Sequence, residues 1–444
     1  MTGYADPRRD AVRRVDTTKV RSQIERINDI ERSRSYQRDL FSQIQAMRRS
    51  PRGGEGDAAA PPASYDVGSL EQPEGFLVAV TGEILVRSEA EATALLVQEG
   101  FSAQDVPAKL RGRVSRFVKP GAPVAATNQL ARRLRHEGIG ASVNYVVPLG
   151  YVAKGEGGFE PTEVEDSYRG PEAAANGAIR VAVIDTGIAG ETRRDNWLNI
   201  VARGADNEDS LYMADGKTLN FSAGHGQFTA GVIQQVAPRA AISMYRGVKS
   251  DGIGSETEIA SAILQAGDDG AQIINLSLGT ETADDAPPVG LQVALEILAE
   301  EHPDVLVVAA AGNSGSTRPS WPAAFRSVVA VASLTPDLRP SMWSNRGSWV
   351  DCSTIGEGIV STYVEGEESR EVDKIEPDIF PKDSWAVGTG TSFAAPQVTG
   401  RVADLLADDP KLTPRGALNK ILSGGRPVPS YGRATKILPG TTDS

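Results

Sequence analysis

Three short stretches of this 444-residue chain hold residue types that can carry a reaction. In GTGTSFAAPQVTG, residues 388–400, Ser392 follows Thr389, Gly390 and Thr391. It precedes a run in which Phe393, Ala394, Ala395, Val398, Val402, Leu405 and Leu406 recur at helical spacing. Glycines let a backbone approach a substrate closely. A helix start there aims free N–H groups and a positive dipole end at Ser392. That suits a nucleophile whose reaction makes an oxyanion, although a serine capping a core helix gives the same pattern. Asp185, in VAVIDTGIAG, ends an apolar run beside a glycine, where a carboxylate can be buried and then needs a partner. A DTG also serves aspartic proteases, which share a proton between two such carboxylates; with one DTG that reading requires a homodimer. Of the 3 histidines, only His225, in SAGHGQFTAGVI, stands between glycines at the start of a small-residue helix, as a base or as a helix cap. Asn313, in AAAGNSG, follows an apolar run and can project its amide into a cleft or simply make a turn. His136, among arginines at a helix end, reads as a surface residue.

The elements around these residues alternate. Ile179–Ile184, Ala241–Arg246, Ala271–Leu278, Val305–Ala311 and Val328–Ser333 read as apolar strands. Phe228–Val236, Glu256–Ala266 and Gly290–His302 read as helices between them. This pattern predicts an α/β fold, a doubly wound parallel sheet with helices on both faces. Sites in such sheets form at the carboxyl ends of strands, and Asp185 and Asn313 both follow such ends.

The chain order Asp, His, Ser matches the subtilisin arrangement of the Ser-His-Asp triad. With DTG at Asp185, GHG at His225, SLG at 277–279, AGNSG at Asn313 and GTSFAAP at Ser392, the chain resembles the subtilases, the subtilisin-like serine peptidases, over about residues 172–436. The resemblance implies that Ser392 attacks, His225 takes its proton, Asp185 orients the imidazole, and the Asn313 amide with the Ser392 N–H holds the oxyanion. It implies an extended peptide clamped between two backbone edges, Gly252, Ile253 and Gly254 on one side and Ser277, Leu278 and Gly279 on the other. The substrate is then a protein or peptide. Two departures stand out: Gln227-Phe228-Thr229 where the family has Thr-His-Val, and Thr354-Ile355-Gly356 where it has Ala-Pro-Gly. The long acidic stretch Tyr363–Trp385 reads as a solvated loop, with a cleft gate or a structural calcium site as alternatives; the chemistry itself needs no cofactor.

Upstream of the peptidase domain that the resemblance implies (172–444), the chain divides into a basic helical segment (1–50), a linker (51–73), a small α/β domain (74–150) and a connecting segment (151–171). In 9–49 a broken apolar stripe, Val15, Val20, Ile24, Ile27, Ile30, Leu40, Phe41 and Ile44, predicts one or two amphipathic helices that dock on their own chain or on a protein partner. In the small domain Gly75–Arg87, Arg113–Lys119 and Ala141–Val147 read as strands, and Glu89–Glu99 and Pro123–Glu137 as helices on one face of the sheet. It resembles a subtilase propeptide, through HEGIGASVNYVVPLG. The following YVAKGEGGFEPTEVEDSYRG has no periodicity and is expected to be exposed and open to nicking. Residues 1–50 carry +5 (12 basic against 7 acidic side chains), so the remainder of the −12 chain carries −17, which argues against a nucleic-acid partner. The longest apolar runs are too short to span a membrane. One cysteine, Cys352, excludes an intrachain disulfide, and residues 1–18 lack the apolar core of a secretory signal. The chain therefore reads as a cytoplasmic serine endopeptidase restrained by its N-terminal region. A narrow, partner-activated processing peptidase and a silent binding scaffold are its rivals.

Overall fold

The computed structural model describes residues 17–49, 65–72, 75–88, 90–147, 159–162, 170, 179–213, 215–370 and 377–440. Two helices come first, α1 (Thr17–Asn28) and α2 (Ile30–Arg49). Both bury their apolar stripe on the chain itself. Val20 of α1 lies against Trp197, Val360, Trp385 and Val387, and Gln23 and Ile27 are buried beside it on the same helix. Phe41 and Ile44 of α2 lie against Val67, Val78, Val146 and Ile253.

The small domain is an antiparallel sheet of five strands: β1 (Val67–Gln72), β2 (Gly75–Arg87), β3 (Ser102–Gln104), β4 (Val114–Val118) and β5 (Ala141–Tyr145). Two helices, α3 (Ala90–Gln98) and α4 (Val124–His136), cover one face. Strand alternation sends Ile84 and Val86 to these helices and Leu85 to the opposite face. The stretch read as linker is corrected here: Val67–Gln72 is a full partner of β2, because Val67 and Leu70 supply alternate apolar contacts. Residues 51–64 of that linker lie outside the described residues. The exposure expected of the connecting segment is also corrected at one place. Strand β6 (Glu160–Thr162) pairs with the strand Trp385–Gly388, and Phe159 and Glu160 are buried.

The larger, C-terminal domain is built on eight strands in the order β17-β18-β12-β11-β10-β9-β7-β8, with the ranges that follow. In chain order its elements are β7 (Arg180–Asp185), α5 (His225–Val236), β8 (Ala241–Arg246), α6 (Glu256–Asp268), β9 (Ile273–Leu276), α7 (Val289–Glu301), β10 (Leu306–Ala310), β11 (Val328–Leu334) and β12 (Cys352–Ile355). Then follow β13 (Ile359–Thr362), β14 (Gly366–Glu367), β15 (Ile379–Phe380), β16 (Trp385–Gly388), α8 (Thr391–Asp408), α9 (Pro414–Gly424), β17 (Arg426–Val428) and β18 (Gly432–Ala434). The sheet is parallel from β18 to β8. Its residues are apolar on both faces because helices cover both: α6 and α7 on one side, α5, α8 and α9 on the other. Strand order reverses between β7 and β9, so the crevice that such a reversal opens lies at the ends of these two strands. Asp185 ends the first and Ser277 follows the second.

Leu85, Val106, Leu110 and Val114 of the small domain join the α6–α7 cluster, forming a seam between the two domains. The stretch Tyr363–Trp385, read as solvated, is instead packed in part: β14 and β15 pair, and Tyr363, Val364 and Phe380 are buried. The guanidinium of Arg193 holds it by donating to the backbone oxygens of Tyr363, Asp383 and Ser384 at 2.7–2.9 Å. No described helix is long and apolar enough to cross a membrane.

Candidate active site

The acid and the imidazole meet as their sequence settings suggest. Asp185 leaves β7 with its carboxylate inside, and His225 is the first residue of α5. The turn into α5 needs Gly224, whose φ is +77. His225 Nδ1 lies 2.7 Å from Asp185 Oδ1, with both side chains buried. Thr186 N also donates to Asp185 Oδ1 (2.8 Å). The other ring nitrogen, Nε2, has no hydrogen-bond partner among the described residues.

Ser392 and Asn313 form the second half. Ser392 is the second residue of α8, where a backbone N–H has no acceptor within its own helix. Asn313 accepts through Oδ1 from Thr391 N (2.9 Å) and Thr391 Oγ1 (2.7 Å). This fixes the amide so that Nδ2, buried and without a partner among the described residues, is left as a donor. Ser392 Oγ donates to the Ser277 carbonyl at 3.1 Å, and Ser277 Oγ donates back to the Ser392 carbonyl at 2.8 Å. The ring of Phe393, next to the serine, lies 5.6 Å from that of His225, so the two halves share one pocket wall. Phe159 lies 6.2 Å from the imidazole and 5.6 Å from Phe393, so the three rings form one cluster.

The two expected edges take different parts. Gly254 O accepts from Val147 N at 2.8 Å, and Val146 pairs with Ser255 in an antiparallel bridge. The end of the small domain thus adds a strand to this edge. Gly252 supports it by donating to Lys249 O, and the side chain of Ile253 is buried between Val146 and α2. On the other edge Leu278 turns into the α6–α7 core, and Gly279 leaves room for Ser320 Oγ, which a Cβ would meet at 3.0 Å.

Sequence reasoning missed four neighbours of this site. Gln23 of α1 donates to Val387 O (3.4 Å), and Thr389 Oγ1 donates to Gln23 Oε1 (3.3 Å), which brings an N-terminal helix to the loop ahead of Ser392. Phe159 comes from a segment without periodicity. Glu256, at the start of α6, is fully buried in the seam, and burial holds its carboxyl well above the usual range. Asp209, in a stretch the sequence assigned to no element, is buried near Asp185. Burial pushes it up to about 6, opposed by hydrogen bonds from Ser250, Gly224 and Thr186 and helped by the charge of Asp185. Nothing in the local pattern marks any of these, since their partners lie far away in the chain.

Among the described residues, Asp268, Glu301 and His302 are the one group of three that could hold a metal. The ammonium of Lys109 already pairs with both acids, so these residues do not fit a resident cation, and they lie away from the Tyr363–Trp385 stretch.

The family profile described as the subtilase family matches residues 176–423, more than half of the chain. Thermitase from Thermoactinomyces vulgaris is 32% identical over 259 residues, covering 56% of this chain and 81% of that protein. Among solved structures, fervidolysin from Fervidobacterium pennivorans, a keratinolytic enzyme related to subtilisin, superposes with a TM-score of 0.57 at 20% identity over 81% of this chain and 60% of its own. The epidermin leader peptide processing serine protease from Staphylococcus aureus superposes with a TM-score of 0.51 at 18% identity, over 80% of this chain and 97% of its own. The last two are likenesses of fold.

Proposed function

We propose, on the premise that this chain belongs to the subtilase family and is a subtilisin-like serine endopeptidase, that Ser392, His225 and Asp185 form its triad and that its N-terminal region holds it in check. The observation that carries the triad is the buried 2.7 Å pair of Asp185 and His225, with Nε2 left without a partner. Asp185 holds the tautomer with the proton on Nδ1, so Nε2 is the base. When Ser392 Oγ turns from the Ser277 carbonyl to Nε2, its proton passes to the imidazole as the oxygen attacks the peptide carbonyl. Asn313 Nδ2 and the N–H at the start of α8 receive the developing oxyanion. The protonated Nε2 then gives its proton to the leaving amine, and water repeats the sequence to release the acyl group. No step calls for a cofactor.

The restraint is supported by the strand that Val146 and Val147 add to the Gly254 edge, where a substrate would lie by the same hydrogen bonds. Helix α1, through Gln23, braces the loop ahead of the nucleophile from another side. A partner that withdraws the helices would suit a narrow processing peptidase. The lone buried Cys352 suits a cytoplasmic setting.

A fluorophosphonate probe tests the triad, since it needs only an activated serine. It should label the full chain at Ser392 slowly, and rapidly after cleavage at a protease site engineered behind Lys154; Ser392→Ala should take no label. Absence of labelling in every form would leave a silent scaffold. Equal labelling before and after cleavage would remove the restraint.

A further inference from the structure

We infer that Asp209 is a positioning residue: its ionised carboxylate fastens the segment after Asp185, the turn before His225 and the approach to the Gly254 edge into one unit. This rests on the triad reading above.

The contacts converge on two oxygens. Asp209 Oδ2 accepts from Thr186 Oγ1 (2.8 Å) and from Gly224 N (2.8 Å). Oδ1 accepts from Ser250 Oγ (2.5 Å). Thr186 carries the restraint inward: its N–H donates to Asp185, and its hydroxyl oxygen accepts from Gly226 N at 3.1 Å. The residues on both sides of His225 are thereby held to the residue that follows Asp185. Ser250 carries it outward, since its carbonyl accepts from Ser222 N in the turn before His225, and Asp251–Gly254 follows directly. Asp209 itself is seated by its N–H on Ile188 O at 2.9 Å. That approach requires Gly187, with φ +113, because a Cβ there would stand 2.8 Å from Asp209 N.

All three groups on the carboxylate donate. An ionised carboxylate accepts them all, whereas a protonated one gives up an acceptor and keeps its contacts only if a hydroxyl such as that of Ser250 reverses to accept. The charged neighbours do not neutralise it. Asp185 is negative and favours protonation. The turn 220–224 carries no charge. On the third segment Lys249 lies over the Tyr65 ring and Asp251 is paired with Arg48. On its own loop Glu208 is acidic as well, with Arg246 donating to its carbonyl. With burial the carboxyl titrates near 6. Its ionised, fastening form is therefore present above that pH and lost as pH falls through it.

The test is the pH dependence of kcat/KM for a short peptide, with the full chain cleaved behind Lys154. The wild type should lose activity on the acid side as two protons bind. Asp209→Asn should lower kcat/KM about 100-fold at pH 8, mostly in kcat, the size of a small misplacement of reacting groups, and its acid limb should fall with one proton. Thr186→Val should lose part of this and Thr186→Ser recover it. Ser250→Ala, which removes one donor to the ionised form, should move the steep part of the limb to higher pH. A wild-type kcat/KM and limb in Asp209→Asn overturns the inference. If that variant does not fold, limbs of Thr186→Val and Ser250→Ala that coincide with wild type overturn it equally. A wild type that neither turns over peptide nor takes a fluorophosphonate label overturns the triad reading and this inference together.

Discussion

The eight-stranded sheet and the seam beside it are both buried, yet they are made of different material. In the sheet Val183, Ile273, Val308 and Val329 pack on one face and Ala182, Ile274, Val307 and Val328 on the other, and backbone groups are satisfied by the strand ladder. At the seam, Leu85, Leu110 and Val114 give an apolar centre, and polar groups surround it. The start of α7 has no side-chain cap of its own, because Pro288 stands at the cap position. Ser142 supplies it from the small domain, accepting from Val289 N (3.1 Å) while donating to Glu256 (3.2 Å). Tyr145 OH likewise accepts from Ala283 N. The rim is a row of ion pairs: Arg87 with Glu296, Lys109 with Asp268 and Glu301, Arg113 with Glu300, and Arg132 and Arg135 with Asp284. A surface whose polar groups can return to water is one that can part, and the sheet interior is not such a surface.

The contrast can be broken at three places. Ile273→Ala leaves a cavity in the centre of the sheet and should cost about 2–5 kcal/mol in denaturant unfolding of the whole chain. A loss well under that range would mean that the sheet is no more tightly packed than the seam. At the seam the decisive group is Glu256. Its carboxyl is held above the usual range while buried, and it returns toward an ordinary carboxyl when the domains part. The joined state thus keeps a proton that the parted state loses as pH rises above about 4.5. Joining is strongest below that pH and weakens as pH rises toward the pKa of the buried form. Glu256→Gln should abolish this dependence and tighten the seam at pH 8, read as retention of the small domain after cleavage behind Lys154. The same pH slope in both proteins would contradict the assignment. The smallest effect belongs to the rim. Arg113→Ala should leave both unfolding and retention within error at physiological salt, since the pair is exposed and screened.

The sheet and the pairing of Asp185 with His225 were legible because their signals are local. A strand ending in Asp-Thr-Gly and a serine ahead of a small-residue helix announce themselves within ten residues. Helix α6 was read over Glu256–Ala266, and the structure adds a capping box made by Ser255 and Glu258 at its start. Glu256 between them reads as one more solvated acid, and only Ser142, from another domain, shows otherwise. Asp209 was hidden for the same reason, among acidic residues with no period to place them. Helix α5 was expected from Phe228 and begins at His225, because glycines at 224 and 226 mask its start. The apolar stripe of 9–49 was visible in the sequence, but the surface it would find was not.

That surface has a consequence for the order of assembly. Gln23 and Val387 are 364 positions apart, and they touch. During synthesis α1 leaves the ribosome long before β13 and β16, the strands it lies on. It has nothing there to dock on until those strands and the loop ahead of Ser392 are built. Its docking therefore follows the pairing of β13 with β16. A helix seated on structure that forms without it can leave without unmaking what lies beneath it, so α1 should exchange its amide hydrogens as a unit of its own, well ahead of the sheet.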